Sequence, residues 1–228
     1  MECIIRSKHF MIKFFKDNGL SIAFFVLFVI SIFVQAITGI KEHNQEMLGD
    51  GGPQVNFLQY LSTGHFLQAT FENWESEFLQ MALFVTLSIS LFQKGSSESK
   101  DPDKKEEVDR EPNPRKRNAP WPVKKGGWVL AVYKHSLCYA LWFLFFISFL
   151  VHWRGSLLDY NQAQQLKQEP TETAFQFLGN SKLWFESFQN WQSEYLSVFA
   201  IIVLTIFLRE KGSPQSKPVD APDSETGG

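Results

Sequence analysis

Only two cysteines occur in the 228 residues, Cys3 and Cys138, with no CxxC pair and no histidine at ligand spacing. That excludes a disulfide framework and a cysteine-based zinc site, and both read as free thiols. No nucleophile elbow, phosphate loop, HExxH segment or Ser/His/Asp spacing is present, so no enzyme motif is legible. A strong charge of either sign is also missing: 22 Lys and Arg against 24 Asp and Glu give a net charge of -2, which points away from nucleic acid. Charge is scarcest locally. Leu20 to Ile40 carries none at all, and at about 1.5 Å per residue such a run crosses a hydrocarbon core of roughly 30 Å as a helix.

What the sequence has in abundance is phenylalanine and tryptophan, 23 and 7 respectively, gathered into four apolar blocks. Mean hydropathy still falls below zero, because polar stretches from Lys94 to Lys125 and from Arg209 to Gly228 dilute it. The first block, about 20–40, follows Arg6, Lys8, Lys13 and Lys16 and lacks a convincing cleavage site at Ser31 to Ala36, so it reads as a retained anchor. A polar loop from Lys41 to Gln59 contains the turn signal Gly49-Asp50-Gly51-Gly52-Pro53. Ser62 or Thr63 can then cap a helix. Leu67, Phe71, Trp74 and Phe78 fall on one apolar stripe of that helix, and Thr70, Asn73, Glu77 and Gln80 on a polar one. Extending the run Phe78 to Phe92 back to about 71 gives a second crossing. The third spans about 128–151 and the fourth about 188–208.

The segment Phe71-Glu72-Asn73-Trp74-Glu75-Ser76-Glu77-Phe78-Leu79 returns as Phe188-Gln189-Asn190-Trp191-Gln192-Ser193-Glu194-Tyr195-Leu196. A shift of 117 residues aligns the halves without a gap, pairing Asn44-Gln45 with Asn161-Gln162, Pro53 with Pro170 and Lys94-Gly95-Ser96 with Lys211-Gly212-Ser213. Loop residues match as well as apolar ones, so shared hydrophobicity does not explain the agreement. The expected fold class is therefore all-α integral membrane, with four transmembrane helices arranged as two tandem, parallel-repeat helical hairpins. Its parts are a first hairpin at 1–93, a disordered cytoplasmic linker at 94–127, a second hairpin at 128–210 and a disordered tail at 211–228.

Of the 22 Lys and Arg, 18 lie in the N-terminus, the linker, the tail and at Lys134, leaving Lys41, Arg154, Lys167 and Lys182 for the other two loops. By the positive-inside rule both termini face the cytoplasm. The duplication puts Glu77 and Glu194 at one depth, with Asn73 and Asn190 beside them, and these four form the candidate intramembrane polar site. Trp74, Trp191, Trp128 and Trp153 read as interfacial anchors. Glu72 and Glu75 become Gln189 and Gln192 in the second copy and read as solvated. The histidines His43, His65, His135 and His152 align with Tyr160, Lys182, Asn18 and Gln35, so none has a symmetric partner. His65 and Glu72, seven apart on one helical face, are the nearest approach to a metal pair; they read as interfacial polar residues, and no metal or cofactor is expected.

The phrase Gly64-His65-Phe66-Leu67, the Phe71 to Gln80 segment and Gly95-Ser96-Ser97-Glu98-Ser99-Lys100 resemble an uncharacterised bacterial multi-pass membrane protein family, known as a domain of unknown function. The resemblance spans nearly the whole chain and implies a bacterial inner-membrane protein, with no activity or site residues to carry over. Expected partners are the lipid bilayer and either a second copy or another membrane protein. The functional expectation is a non-enzymatic structural or envelope-associated protein. A small transporter or ion-conducting protein using Glu77 and Glu194 is the alternative, and a membrane redox protein a distant third.

Overall fold

None of the ten prolines falls inside an apolar block, so each block can satisfy its own backbone hydrogen bonds as helix, the one open structure that does so in an apolar medium. The computed structural model describes the backbone of residues 2–227 and the side chains of residues 12–227; Cys3, Arg6 and Lys8 lie outside the described side chains. Among the described residues there is no strand. The helices are α1 (Glu2–Gly49), α2 (Phe57–Tyr60), α3 (Gly64–Leu87), α4 (Trp121–Lys125), α5 (Gly127–Lys134), α6 (Ser136–Leu166), α7 (Ala174–Phe177) and α8 (Ser181–Phe207), with a 3-10 turn at Glu107–Asp109.

Among the described residues, three helices are long and apolar enough to cross a membrane: α1 over Ile12–Gly49, α6 and α8. Only 6, 22 and 6% of their apolar windows are buried within the chain, and Phe24, Phe25, Phe33, Phe143, Phe199 and Phe207 stand exposed. Apolar surface on that scale needs an apolar solvent, and this is the profile of a membrane protein. Helix α3 is not one of the three. It carries Glu72, Glu75 and Glu77 and stops at Leu87, short of the expected 92. The third apolar block is broken at His135, which separates α5 from α6; Lys134 there bonds Glu111 at 3.1 Å.

The chain divides into two compact units, Met1–Thr70 with Arg154–Thr173 and Phe71–Trp153 with Ala174–Gly228. In the first, α1 continues through the expected loop to Gly49, and the turn follows with Gly51 at a positive φ of 74°. Thr63 caps α3, its Oγ1 accepting from Phe66 N at 3.2 Å. A Cβ on Gly64 would strike the backbone of Gly155 and Asp159, and one on Gly155 the backbone of Gln68. Two helices therefore approach backbone to backbone, a contact that only small residues allow. Asn44 clasps Val55 through both of its amide atoms, at 3.0 and 2.8 Å. Asn161 holds Glu172 in the same way, at 2.8 Å twice.

The second unit buries Leu79, Ala82, Phe145, Phe177 and Leu183. The linker at 94–127, expected to be disordered, carries the 3-10 turn, α4 and ion pairs such as Lys100–Asp109 at 2.8 Å. The tail, also expected to be disordered, wraps around Lys217. That side chain is 1% exposed, and its ammonium donates to the carbonyls of Pro222, Asp223 and Glu225. Ser96 and Thr205 share a buried hydroxyl bond of 3.0 Å, and Gly227 N reaches Ser96 O at 3.0 Å. Cys138 is a free thiol, as expected.

Candidate functional site

Glu72 and Glu75 are one helical turn apart on α3 and so lie on one face. Helix α6 contributes His152, and α8 contributes Lys182, Glu186 and Trp191. These side chains meet inside the second unit. His152 Nδ1 lies 2.6 Å from Glu75 Oε2, and Nε2 lies 3.1 Å from Glu186 Oε2. Glu72 Oε2 is 3.9 Å from Nε2. Trp191 Nε1 donates to the other oxygen of Glu75 at 2.9 Å, and Lys182 Nζ stands 3.2 Å from Glu186 Oε1. His152 and Glu75 are both fully buried.

A contact of that length between an imidazole nitrogen and a carboxylate oxygen needs a proton between them. The trio Glu75–His152–Glu186 therefore holds two protons, one on each side of the ring. Such contacts offset the cost of burying the charges, and removing one member leaves the others uncompensated. Glu75 corrects an expectation, since it is enclosed and hydrogen-bonded rather than solvated. Its environment is set by α6 and α8, which approach it only in the folded unit.

The expected site residues are distributed differently. Glu77 and Asn73 are exposed and Glu194 half-buried. Asn190 donates to the backbone carbonyl of Glu186 at 3.1 Å, one residue's reach from the buried centre. Of the four tryptophans expected as anchors, Trp128 is exposed and Trp74 packs at a tilt against Phe71, with ring centroids 4.9 Å apart. Trp153 has its indole N–H buried without a partner. Trp191 packs on Phe188 at 5.0 Å while its N–H serves Glu75.

Glu186 escaped the sequence reading, as did the union of Glu75 with His152. One signal was present: an ionisable residue at the end of a long apolar run, His152, is costly to place there without partners. The nearest carboxylates that could meet it were those of the α3 and α8 entrances.

The first unit has a second constellation. Tyr60 is buried and its hydroxyl shares a hydrogen bond with His65 Nδ1 at 3.0 Å. The ring of His43 lies 5.3 Å from that of His65 and 5.7 Å from that of Tyr60. Burial, then the charges of Glu42, Asp159 and Glu46, push the Tyr60 phenol up to about 12. Gly39 is what admits the hydroxyl, since a Cβ there would collide with it.

A cavity of about 550 Å³ opens in the second unit among Phe84, Leu87, Phe92, Tyr195, Phe199 and Ile202, with Gln80 and Glu98 as polar lining. Burial pushes the Glu98 carboxyl above its ordinary range. For holding a metal ion, the chemically suited group is Glu72, His152 and Glu186, whose ligand atoms all lie within 4.8 Å of one another.

A family model described as Domain of unknown function (DUF6766) matches residues 11–228. The chain belongs to that family. No curated protein and no solved structure matches it.

Proposed function

We propose that this member of the DUF6766 family is a non-enzymatic protein of the bacterial inner membrane. In this reading two tandem hairpins make four crossings with both ends in the cytoplasm, and the protein supports an envelope process or partner. The carrying observation is that His152, fully buried, commits both ring nitrogens to carboxylates from two other helices. Ionisable groups so placed tie α3, α6 and α8 together rather than stand open to a substrate.

The duplication has support beyond the residue matches. The Asn44–Val55 clasp recurs as Asn161–Glu172. Ser99 Oγ accepts from Gln93 N at 2.9 Å, and Ser216 Oγ accepts from Glu210 N at 2.9 Å. Gly95 and Gly212 both take φ of 89°. Each pair is 117 residues apart. Orientation rests on the bias of Lys and Arg toward the termini and the linker.

Crosslinking in native membranes tests the role. A membrane protein recovered repeatedly at one face, or a second copy of the chain, is the expected result, and no repeated partner counts against it. The alternative is a small ion-conducting protein using Glu77 and Glu194, which the 117-residue shift places at equivalent positions. Flux in liposomes that exceeds empty vesicles, and that Glu77→Gln with Glu194→Gln abolishes, would replace the structural reading with that one.

A further inference from the structure

We propose that Glu72, His152 and Glu186 form a binding site for a divalent first-row transition-metal cation, with Glu75 and Trp191 as its supporting shell. The proposal deepens the reading of this centre as the tie between three helices, and rests on it.

Ligand spacing is the first argument. Oxygen and nitrogen ligands stand about 2.0–2.2 Å from such an ion, so neighbouring ligand atoms in a tetrahedral or octahedral shell are roughly 3–3.5 Å apart. Here His152 Nε2 is 3.1 Å from Glu186 Oε2 and 3.9 Å from Glu72 Oε2, and no pair of ligand atoms in the set exceeds 4.8 Å. The widest of these separations must close by roughly 1–2 Å for one ion to replace the shared proton at Nε2.

Orientation is the second. A metal-binding imidazole typically donates its other N–H to a carboxylate that is itself hydrogen-bonded. His152 does this: Nδ1 meets Glu75 at 2.6 Å, and Trp191 fixes the far oxygen of that carboxylate. The ring is thereby held with Nε2 turned toward Glu186 and Glu72.

Charge is the third. Glu72, Glu75, Glu186, His152 and Lys182 together carry -1 even with the imidazole protonated. With a neutral imidazole and a divalent cation the same five side chains and the ion sum to zero, the favourable outcome for groups removed from water. One imidazole with carboxylate oxygens suits Zn²⁺, Mn²⁺ or Fe²⁺, whereas Ca²⁺ and Mg²⁺ take all-oxygen shells.

The full chain, purified in detergent, stripped with chelator and dialysed against Zn²⁺ or Mn²⁺, should retain about one equivalent per chain. Ca²⁺ should not compete. Glu72→Gln should weaken retention at least about tenfold, and Glu75→Gln, which touches only the supporting shell, by about 10–100-fold; Glu107→Gln, on the distant 3-10 turn, should bind as wild type. Circular dichroism in the same detergent checks that each variant is folded, and Co²⁺ absorption bands in the visible report the ligand field directly. Wild-type protein retaining no more than the Glu72→Gln variant, or Ca²⁺ displacing Zn²⁺ at equal concentration, overturns the site. Failure of the helix tie is read separately: His152→Ala would then leave the melting temperature of the metal-free protein unchanged.

Discussion

His152 Nδ1 and Glu75 Oε2 are separated by 2.6 Å inside the second unit, and neither side chain touches solvent. Truncating the ring strands two carboxylates, the fully buried Glu75 and the largely buried Glu186. His152→Ala should cost about 3–5 kcal/mol, the range for removing one partner of a buried charged pair. Reversible unfolding in mixed detergent measures it, and a loss below about 1 kcal/mol would show the contact to be marginal.

Trp191 offers a milder cut at the same centre. Trp191→Phe keeps an aromatic ring against Phe145 and Phe188 while removing the N–H that Glu75 accepts. The expected loss is about 1–3 kcal/mol, the cost of leaving a buried acceptor unsatisfied. Combined with Glu75→Gln the two effects should be less than additive, which a double-mutant cycle reads.

In the first unit, Gly64→Ala and Gly155→Ala each drive a methyl group into backbone rather than into a flexible side chain. Each should destabilise by about 1–3 kcal/mol, seen as a lowered melting temperature. Alanine at Gly19, where nothing stands within 4 Å, should be silent or slightly stabilising.

Tyr60 makes the protein sensitive to alkali. Its phenol titrates near 12 in the fold against 10.0 when free. The neutral form is thus favoured by folding, and its contribution is complete below pH 10 and drains away as pH rises from 10 toward 12. At about 1.4 kcal/mol per unit, the loss is no more than about 3 kcal/mol, screening by solvent reducing it. Urea titrations of wild type and Tyr60→Phe across that window should differ in slope, the variant being flatter; parallel slopes would remove Tyr60 from the account.

Lys217 ties the C-terminal segment by three carbonyl contacts. Lys217→Met keeps the length of the side chain and removes all three, so residues 213–227 should become sensitive to limited proteolysis that wild type resists.

The sequence by itself determined the helical class, the apolar segments now seen in α1, α6 and α8, a cap at Ser62 or Thr63 and the turn after Gly49. Each of these is decided by neighbours within a few turns of the chain: hydrophobic period, charge gaps, and residues suited to caps and turns. It could not show the centre. A search for equivalent pairs 117 residues apart finds Glu77 and Glu194 but passes over His152, Glu75, Glu72 and Glu186, whose equivalents are Gln35, Gln192, Gln189 and Ala69. Only tertiary structure decided that an imidazole from α6, two carboxylates from α3 and one from α8 share a space, because contact between helices depends on their rotation and approach. It also set the carbonyls of Pro222, Asp223 and Glu225 around Lys217, since they become acceptors at one point only when the chain has turned back on itself.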